Sequence, residues 1–307
     1  MVEGADERAR RIAELVGVPT ARRVERIQSL WGGYGEAARY ALADGRSVVV
    51  KHVQPGAGSG RGHRRKLRSY AIERAWYQRW AQRCGEHCRV PPALALEERD
   101  GGWLFVLEDL AAAGFPARTP YLSDTKLQAC LRWLAAFHAT FLGVEADDLW
   151  PVGTYWHLAT RPDELATMPA GALREAAAAI DARLSGAEHR TLVHGDAKPS
   201  NFLFAADGRR VAAVDFQYVG GGCGMKDVAY LLMGETRRET ERALDVYFDA
   251  LREALSATGQ AEAVEAEWRA LFPWARADLE RFMAGWAPGH RPDRLGRELV
   301  DEALRAL

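Results

Sequence analysis

The chain has 307 residues, 48% hydrophobic and 27% charged, with a formal net charge of −1. This is the composition of a soluble globular protein long enough for one large core or two, and its charge balance argues against a nucleic-acid or anionic-membrane partner. Four cysteines in this length make no disulfide framework, and with no apolar run near 20 residues and no signal-peptide pattern the expected location is cytoplasmic. The balance hides an asymmetry: residues 1–108 carry 19 Lys and Arg against 13 Asp and Glu, whereas residues 109–307 carry 22 against 29.

Residues 5–16 have a helical period, with Ile12, Leu15 and Val16 on one side and Pro19 as a stop. Residues 24–30 and 36–43 read as strands around WGGYGE, and an Asp44-Gly45 turn leads to a strand over residues 47–52. Gly32, Gly33 and Gly35 let a backbone approach phosphates closely, although they do not spell G-x-G-x-x-G and a plain hairpin explains them as well. Lys51 ends the run VVVK, where a half-buried cation needs a partner.

Residues 56–68 hold glycines and serine followed by a basic run, which reads as a solvated flexible loop; the sharper alternative is a flap carrying Arg64, Arg65 or Lys66 to phosphates. The helix that follows, residues 67–81, has Ile72, Trp76 and Trp80 on one face and Ser69, Glu73 and Tyr77 on its neighbour. Cys84, His87 and Cys88 lack the further ligands a zinc site needs. A strand over residues 103–107 ends at Glu108-Asp109-Leu110, and from there the chain turns helical. The helix 126–142 sets Leu127, Leu131, Leu134, His138 and Phe141 on one stripe, with His138 as a core residue. Residues 145–170 read as irregular, and helices are expected at 171–184, 237–256, 261–271, 275–286 and 294–306.

Two short apolar strands, 191–193 and 211–214, each deliver a polar cluster: His194, Gly195, Asp196, Lys198 and Asn201 from the first, Asp215 and then Asp227 from the second. A carboxylate after an apolar run, an amide five residues on and a second carboxylate after the next strand suit phosphoryl transfer. One Asp orients an attacking hydroxyl, while the amide and the other Asp offer the oxygen ligands that Mg²⁺ shares with phosphates. His194 reads as a scaffold residue of the loop.

HGDAKPSN resembles the catalytic loop H-R-D-x-x-x-x-N of the protein-kinase-like fold, with Gly195 in place of Arg, and VDFQ stands where that fold has D-F-G. The chain is similar to the small-molecule kinases of the aminoglycoside phosphotransferase and choline kinase superfamily, and within it to the ecdysteroid-kinase-like branch. The resemblance implies an α+β bilobal fold, with a strand-rich lobe over residues 1–108 and a mostly helical lobe over 109–307. It implies ATP and Mg²⁺ as cofactors, Asp196 as catalytic base, Asn201 and Asp215 as metal ligands, and Lys198 at the γ-phosphate. Lys51 would bridge the α/β-phosphates and Glu73, the glycine turn would lie over the phosphates, and Glu108 and Leu110 would flank a hinge that pairs with adenine.

Only eleven residues separate Asp215 from Asp227, and no A-P-E follows, so a platform for a peptide substrate is missing and a small-molecule acceptor is expected. Likeness to the ecdysteroid-kinase-like branch implies a hydroxyl on a neutral, largely apolar skeleton. Trp150, Tyr155, Trp156, Trp274, Phe282, Met283 and Trp286 are candidates to wall its site, or else helix-packing core. The alternatives are a cationic acceptor of the aminoglycoside or choline type, which the acidic second half would suit, and an inactive nucleotide-binding scaffold.

Overall fold

The computed structural model describes residues 4–287 and 289–307. Helix α1 (Ala5–Val16) precedes strands β1 (Ala21–Ser29), β2 (Gly35–Leu42) and β3 (Ser47–Val53). Helix α2 (Arg61–Arg79) is followed by β4 (Ala93–Arg99) and β5 (Gly102–Glu108). The five strands form one antiparallel sheet in the order β1-β2-β3-β5-β4. Alternation along β3 gives the sheet its two faces. Val48 and Val50 pack with Ile12, Tyr40 and Val106 beneath α1, whereas Val53 joins Tyr70, Trp76 and Phe105 beneath α2. Lys51 shares the α2 face.

The remainder is mostly helical. It comprises β6 (Ala117–Arg118), α3 (Asp124–Thr140), α4 (Pro162–Thr167), α5 (Ala172–Glu175), α6 (Ala177–Ser185), β7 (Thr191–Val193), β8 (Phe202–Phe204), β9 (Val211–Ala213), β10 (Gly220–Gly222), α7 (Met225–Leu231), α8 (Arg237–Ala254), α9 (Ala261–Trp286) and α10 (Arg294–Arg305). The main core is continuous from Trp76 of α2 through Trp133 and Phe137 of α3 to Trp268 of α9. Among the described residues no helix is long and apolar enough to cross a membrane.

Three expectations need correction. The basic run 61–68 is not a loop: it is the first part of α2. One side of α2 is anchored on the segment 148–163: Arg61 and Arg79 pair with Asp163 and Asp148, Arg65 donates to the Thr160 carbonyl, and Arg68 lies 4.2 Å from the Trp150 ring centre. Helices 261–271 and 275–286 are one helix through Pro273, because buried residues continue across it from Leu271 and Phe272 to Trp274 and Ala275. The segment 145–170 contains α4, started by Pro162 with Asp163 and Glu164 in its first turn.

Candidate active site

β7 carries the chain into the loop 194–201, and its pairing with β10 fixes the approach. Thr191 Oγ1 donates to the His138 carbonyl at 2.7 Å. Gly195 has φ +80°, and a Cβ there would run into the Tyr218 carbonyl, so the position that is Arg in H-R-D must be glycine here. Asp227, at the start of α7 and fully buried, accepts the His194 N–H at 2.6 Å and the Gly195 N–H at 2.9 Å. His138 links the same carboxylate, at 3.2 Å, to the Tyr247 hydroxyl, at 2.8 Å. His194 accepts the Asp196 N–H within the loop and with its other ring nitrogen meets the Val214 carbonyl, beside Asp215.

The carboxylate of Asp196 is held on one side only. Oδ2 accepts from Lys198 Nζ at 2.7 Å and from Asn201 Nδ2 at 2.9 Å, while Oδ1 is buried and without a hydrogen-bond partner. Burial raises the Asp196 carboxyl to about 6, against the pull of Lys198. An unpaired buried carboxylate oxygen is costly to keep, and it is ready to accept a proton from an incoming donor.

Lys51 Nζ lies 2.6 Å from Glu73 Oε2 and 3.2 Å from Asp215 Oδ1. Its one charge therefore serves two carboxylates, with different results. Burial works against ionisation of Asp215, but Lys51, Lys198 and Lys66 surround it and hold it well below the usual carboxylate range. Burial raises Glu73 despite Lys51. Lys51 itself stays charged in spite of its burial, because Asp215 and Glu73 raise it. Asp215 occupies left-handed backbone, φ 71°, a cost that a non-glycine residue bears only where its surroundings impose it.

Gln217 ties this carboxylate to α2. Its Nε2 donates to Asp215 Oδ1 at 2.6 Å, and its Oε1 accepts from Lys66 at 2.8 Å and Ser69 at 3.1 Å. Among the described residues no three His, Cys, Asp or Glu side chains converge to hold a metal. Asn201 and Asp215 are oxygen donors suited to Mg²⁺, which would take the rest of its shell from phosphate and water.

A cavity of about 230 Å³ runs from Glu108 and Leu110 to Lys51 and Asp215, walled by Val49 and Leu203. Apolar walls thus lead to the charged group of Lys51, Glu73 and Asp215. Arg118 crosses its mouth, donating to the Ser200 carbonyl of the loop and to Gln28 of β1. Beside Leu110, Asp109 takes Arg39 of β2 and Ser47 of β3, which ties the end of β5 to the sheet. A larger cavity of about 520 Å³ opens by His52 and Arg11 on the α1 side of the sheet and shares no residue with the site.

Lys51, Glu73, Asp196, Lys198, Asn201 and Asp215 converge, and Glu108 and Leu110 line the cavity. Gly32, Gly33 and Gly35 are not among its lining residues. They shape the turn, with φ of +70°, +75° and +133°, and Tyr34 beside them is held by His63 of α2 at 2.6 Å. In the sequence Arg118 has no assigned role, and Asp109 stands in the hinge run Glu108-Asp109-Leu110 without one of its own. Neither had a signal beyond an isolated charge near a strand end. Of the seven aromatic and Met candidates, Trp150, Trp156, Trp274 and Phe282 are buried packing residues, while Tyr155, Met283 and Trp286 keep exposed surface.

This arrangement is that of a protein-kinase-like phosphotransferase fold. The profile of the phosphotransferase enzyme family matches residues 26–271, and the chain belongs to that family: it is a phosphotransferase of the kind that acts on hydroxyl acceptors. By sequence it matches no curated protein. Among solved structures it is similar to a Thermobifida fusca protein assigned as a fructosamine-3-kinase, with 19% identity, a TM-score of 0.55 and 99% of each chain covered. It is similar also to a macrolide 2′-phosphotransferase of Brachybacterium faecium, with 18% identity, a TM-score of 0.51 and coverage of 92% of this chain and 98% of that one. An amicoumacin kinase in complex with AMP-PNP and Ca²⁺ shares 13% identity over 91% of this chain and 86% of its own, with a TM-score of 0.51.

Proposed function

We propose that the chain transfers the γ-phosphoryl group of ATP to a hydroxyl of a neutral small molecule, in the cleft between a strand-rich lobe (1–108) and a helical lobe (109–307). The observation that carries this reading is the divided environment of Asp196, one oxygen locked by Lys198 and Asn201 and the other buried and free. The free Oδ1 orients the acceptor hydroxyl and takes its proton as the oxygen attacks phosphorus. Lys51, positioned by Glu73, holds the α/β-phosphates. Lys198 faces the charge that develops on the transferred group. Asn201 and Asp215 would hold Mg²⁺, which when bound neutralises phosphate charge and fixes the geometry of the triphosphate. Glu108 N–H is committed to Pro92 O and Leu110 C=O to Phe115 N–H, so pairing with a base edge falls to the Glu108 C=O and the Leu110 N–H. The complex of the amicoumacin kinase with AMP-PNP supports a nucleotide in the equivalent cleft.

For the acceptor, Tyr155 and Tyr218 lie within the field of Asp196, and Arg161 acts on both, with Arg65 beside Tyr218. Cations and phenols at this side suit a hydroxylated neutral compound and oppose a polycation, which needs a carboxylate cluster. The likeness to the ecdysteroid-kinase-like branch belongs to the same reading. The test is a panel of hydroxylated terpenoid, steroid and polyketide compounds, aminoglycosides and choline at equal concentration, read by ADP release and product mass. Phosphorylated neutral compounds are expected. Turnover confined to the cationic ones would overturn this acceptor class.

A further inference from the structure

Lys66, Ser69, Tyr70, Glu73 and Tyr77 recur at three- and four-residue intervals along α2, which places them on the side of the helix that faces the cleft. Glu73 takes Lys51 on that side. Lys66 lies seven residues earlier, roughly 10 Å along the helix axis. There its Nζ bonds Gln217 Oε1 at 2.8 Å and lies 4.9 Å from the Tyr70 ring centre. Its hydrogen-bond partner is thus a neutral amide, and the other end of that amide is bonded to Asp215. A half-buried ammonium held by an amide and a ring face is incompletely neutralised, and an anion arriving beside Asp215 would meet it directly.

Resting on the reading that ATP is the phosphoryl donor, we propose that Lys66 is a further phosphate-contacting residue that leaves Gln217 to bind the terminal phosphate of the nucleotide. Lys51 then holds the inner phosphates, while Lys66 and Lys198 reach the terminal group from α2 and from the catalytic loop. Charge on the group in transfer spreads over three equatorial oxygens, so cations supplied from two elements stabilise it better than one. Gln217 has a second part in this arrangement: its amide is bonded to both Lys66 and Asp215 and so links the helix to the metal-ligand candidate.

The distinguishing readout is binding rather than turnover. Calorimetry with Mg²⁺ measures the affinity of a non-hydrolysable ATP analogue and of ADP for the wild type, Lys66→Met and Lys66→Arg. Met keeps an unbranched stem of similar length without the charge, and Lys66→Gln serves if Met does not fold. The expected result is an analogue affinity at least about tenfold weaker in Lys66→Met, the size of one charged hydrogen bond. ADP affinity should stay within about twofold, and Lys66→Arg should restore most of the loss. Equal weakening of both nucleotides, or of neither, overturns the assignment. So does a loss seen only in the KM of the acceptor, which would place Lys66 at the other substrate. A wild type that binds no nucleotide overturns the underlying ATP reading, and that outcome is distinguishable because it appears before any variant is compared.

Discussion

The carboxylate of Asp227 receives the backbone N–H of His194 at 2.6 Å, and with its other oxygen that of Gly195 at 2.9 Å. A helix that follows the second strand cluster thereby holds the loop delivered by the first. Both donors are buried, and so is His138, which shares the carboxylate. Asp227→Ala leaves two N–H groups without a partner, at about 1–3 kcal/mol each. Urea unfolding should show a loss of about 2–6 kcal/mol, and turnover should fall with it because Asp196 is one residue further on. A variant as stable as the wild type would mean that the loop is fixed by other contacts.

Among the described residues Lys51 is the one cation bonded to the buried Glu73 carboxylate. Burial already raises Glu73, and Lys51 is the first group that opposes the shift. In Lys51→Met the folded state would favour the neutral carboxyl far more than the unfolded chain does. A carboxyl raised on folding stabilises at low pH, and that contribution is lost as pH climbs past its unfolded value of about 4.5 toward the folded one. The stability deficit of Lys51→Met should therefore widen as pH climbs above 4.5, through the raised wild-type value of Glu73 and toward the still higher one of the variant, read by unfolding at several pH values. A deficit independent of pH would show that Glu73 finds another partner. The same variant should raise the KM for ATP.

The Asp196 carboxyl, raised by burial to about 6, sets an acid limb. The base works deprotonated, so kcat/KM should fall as pH drops through about 6. Lys198 lowers this carboxyl, and removing it should raise it further. Lys198→Met should thus move the limb to higher pH as well as reduce kcat. A limb that stays in place or moves down separates Lys198 from Asp196, leaving it a loop residue.

The polar stretches of this fold were legible in the sequence because their chemistry is local. Asp196, Lys198, Asn201 and Asp215 stand together through two short strands whose polar ends are spaced by the loop between them, and Lys51 was conspicuous as a cation closing an apolar strand. What depended on distant contacts was not legible. The run Arg61–Arg68 has the composition of a solvated loop, and it is helix because α2 is anchored on residues 148–163, nearly a hundred positions away. β10 is three glycines, which no strand propensity favours. It is imposed by close approach, since a Cβ on Gly220 would run into the Trp150 carbonyl, and on Gly221 into that of Pro151. The aromatic residues offered as an acceptor wall were ambiguous for a similar reason: residue type alone does not tell a core Trp156 from a partly exposed Tyr155.

Metal and base should separate on mutation. Asp215→Ala removes a charged oxygen ligand and should abolish the gain in nucleotide affinity that Mg²⁺ confers, as read by titration with and without the metal. Asp196→Asn should keep that gain. Equal loss in both variants would merge the two roles.

The most direct measurement is phosphoryl transfer from ATP to the best acceptor of the panel, followed by product mass, for the wild type and Asp196→Asn side by side in Mg²⁺. The expected result is a product heavier by one phosphoryl group in the wild type. Asp196→Asn should turn over roughly 10²–10⁴ times more slowly at nearly unchanged ATP affinity. An Asp196→Asn enzyme as fast as the wild type would contradict the assignment of the base.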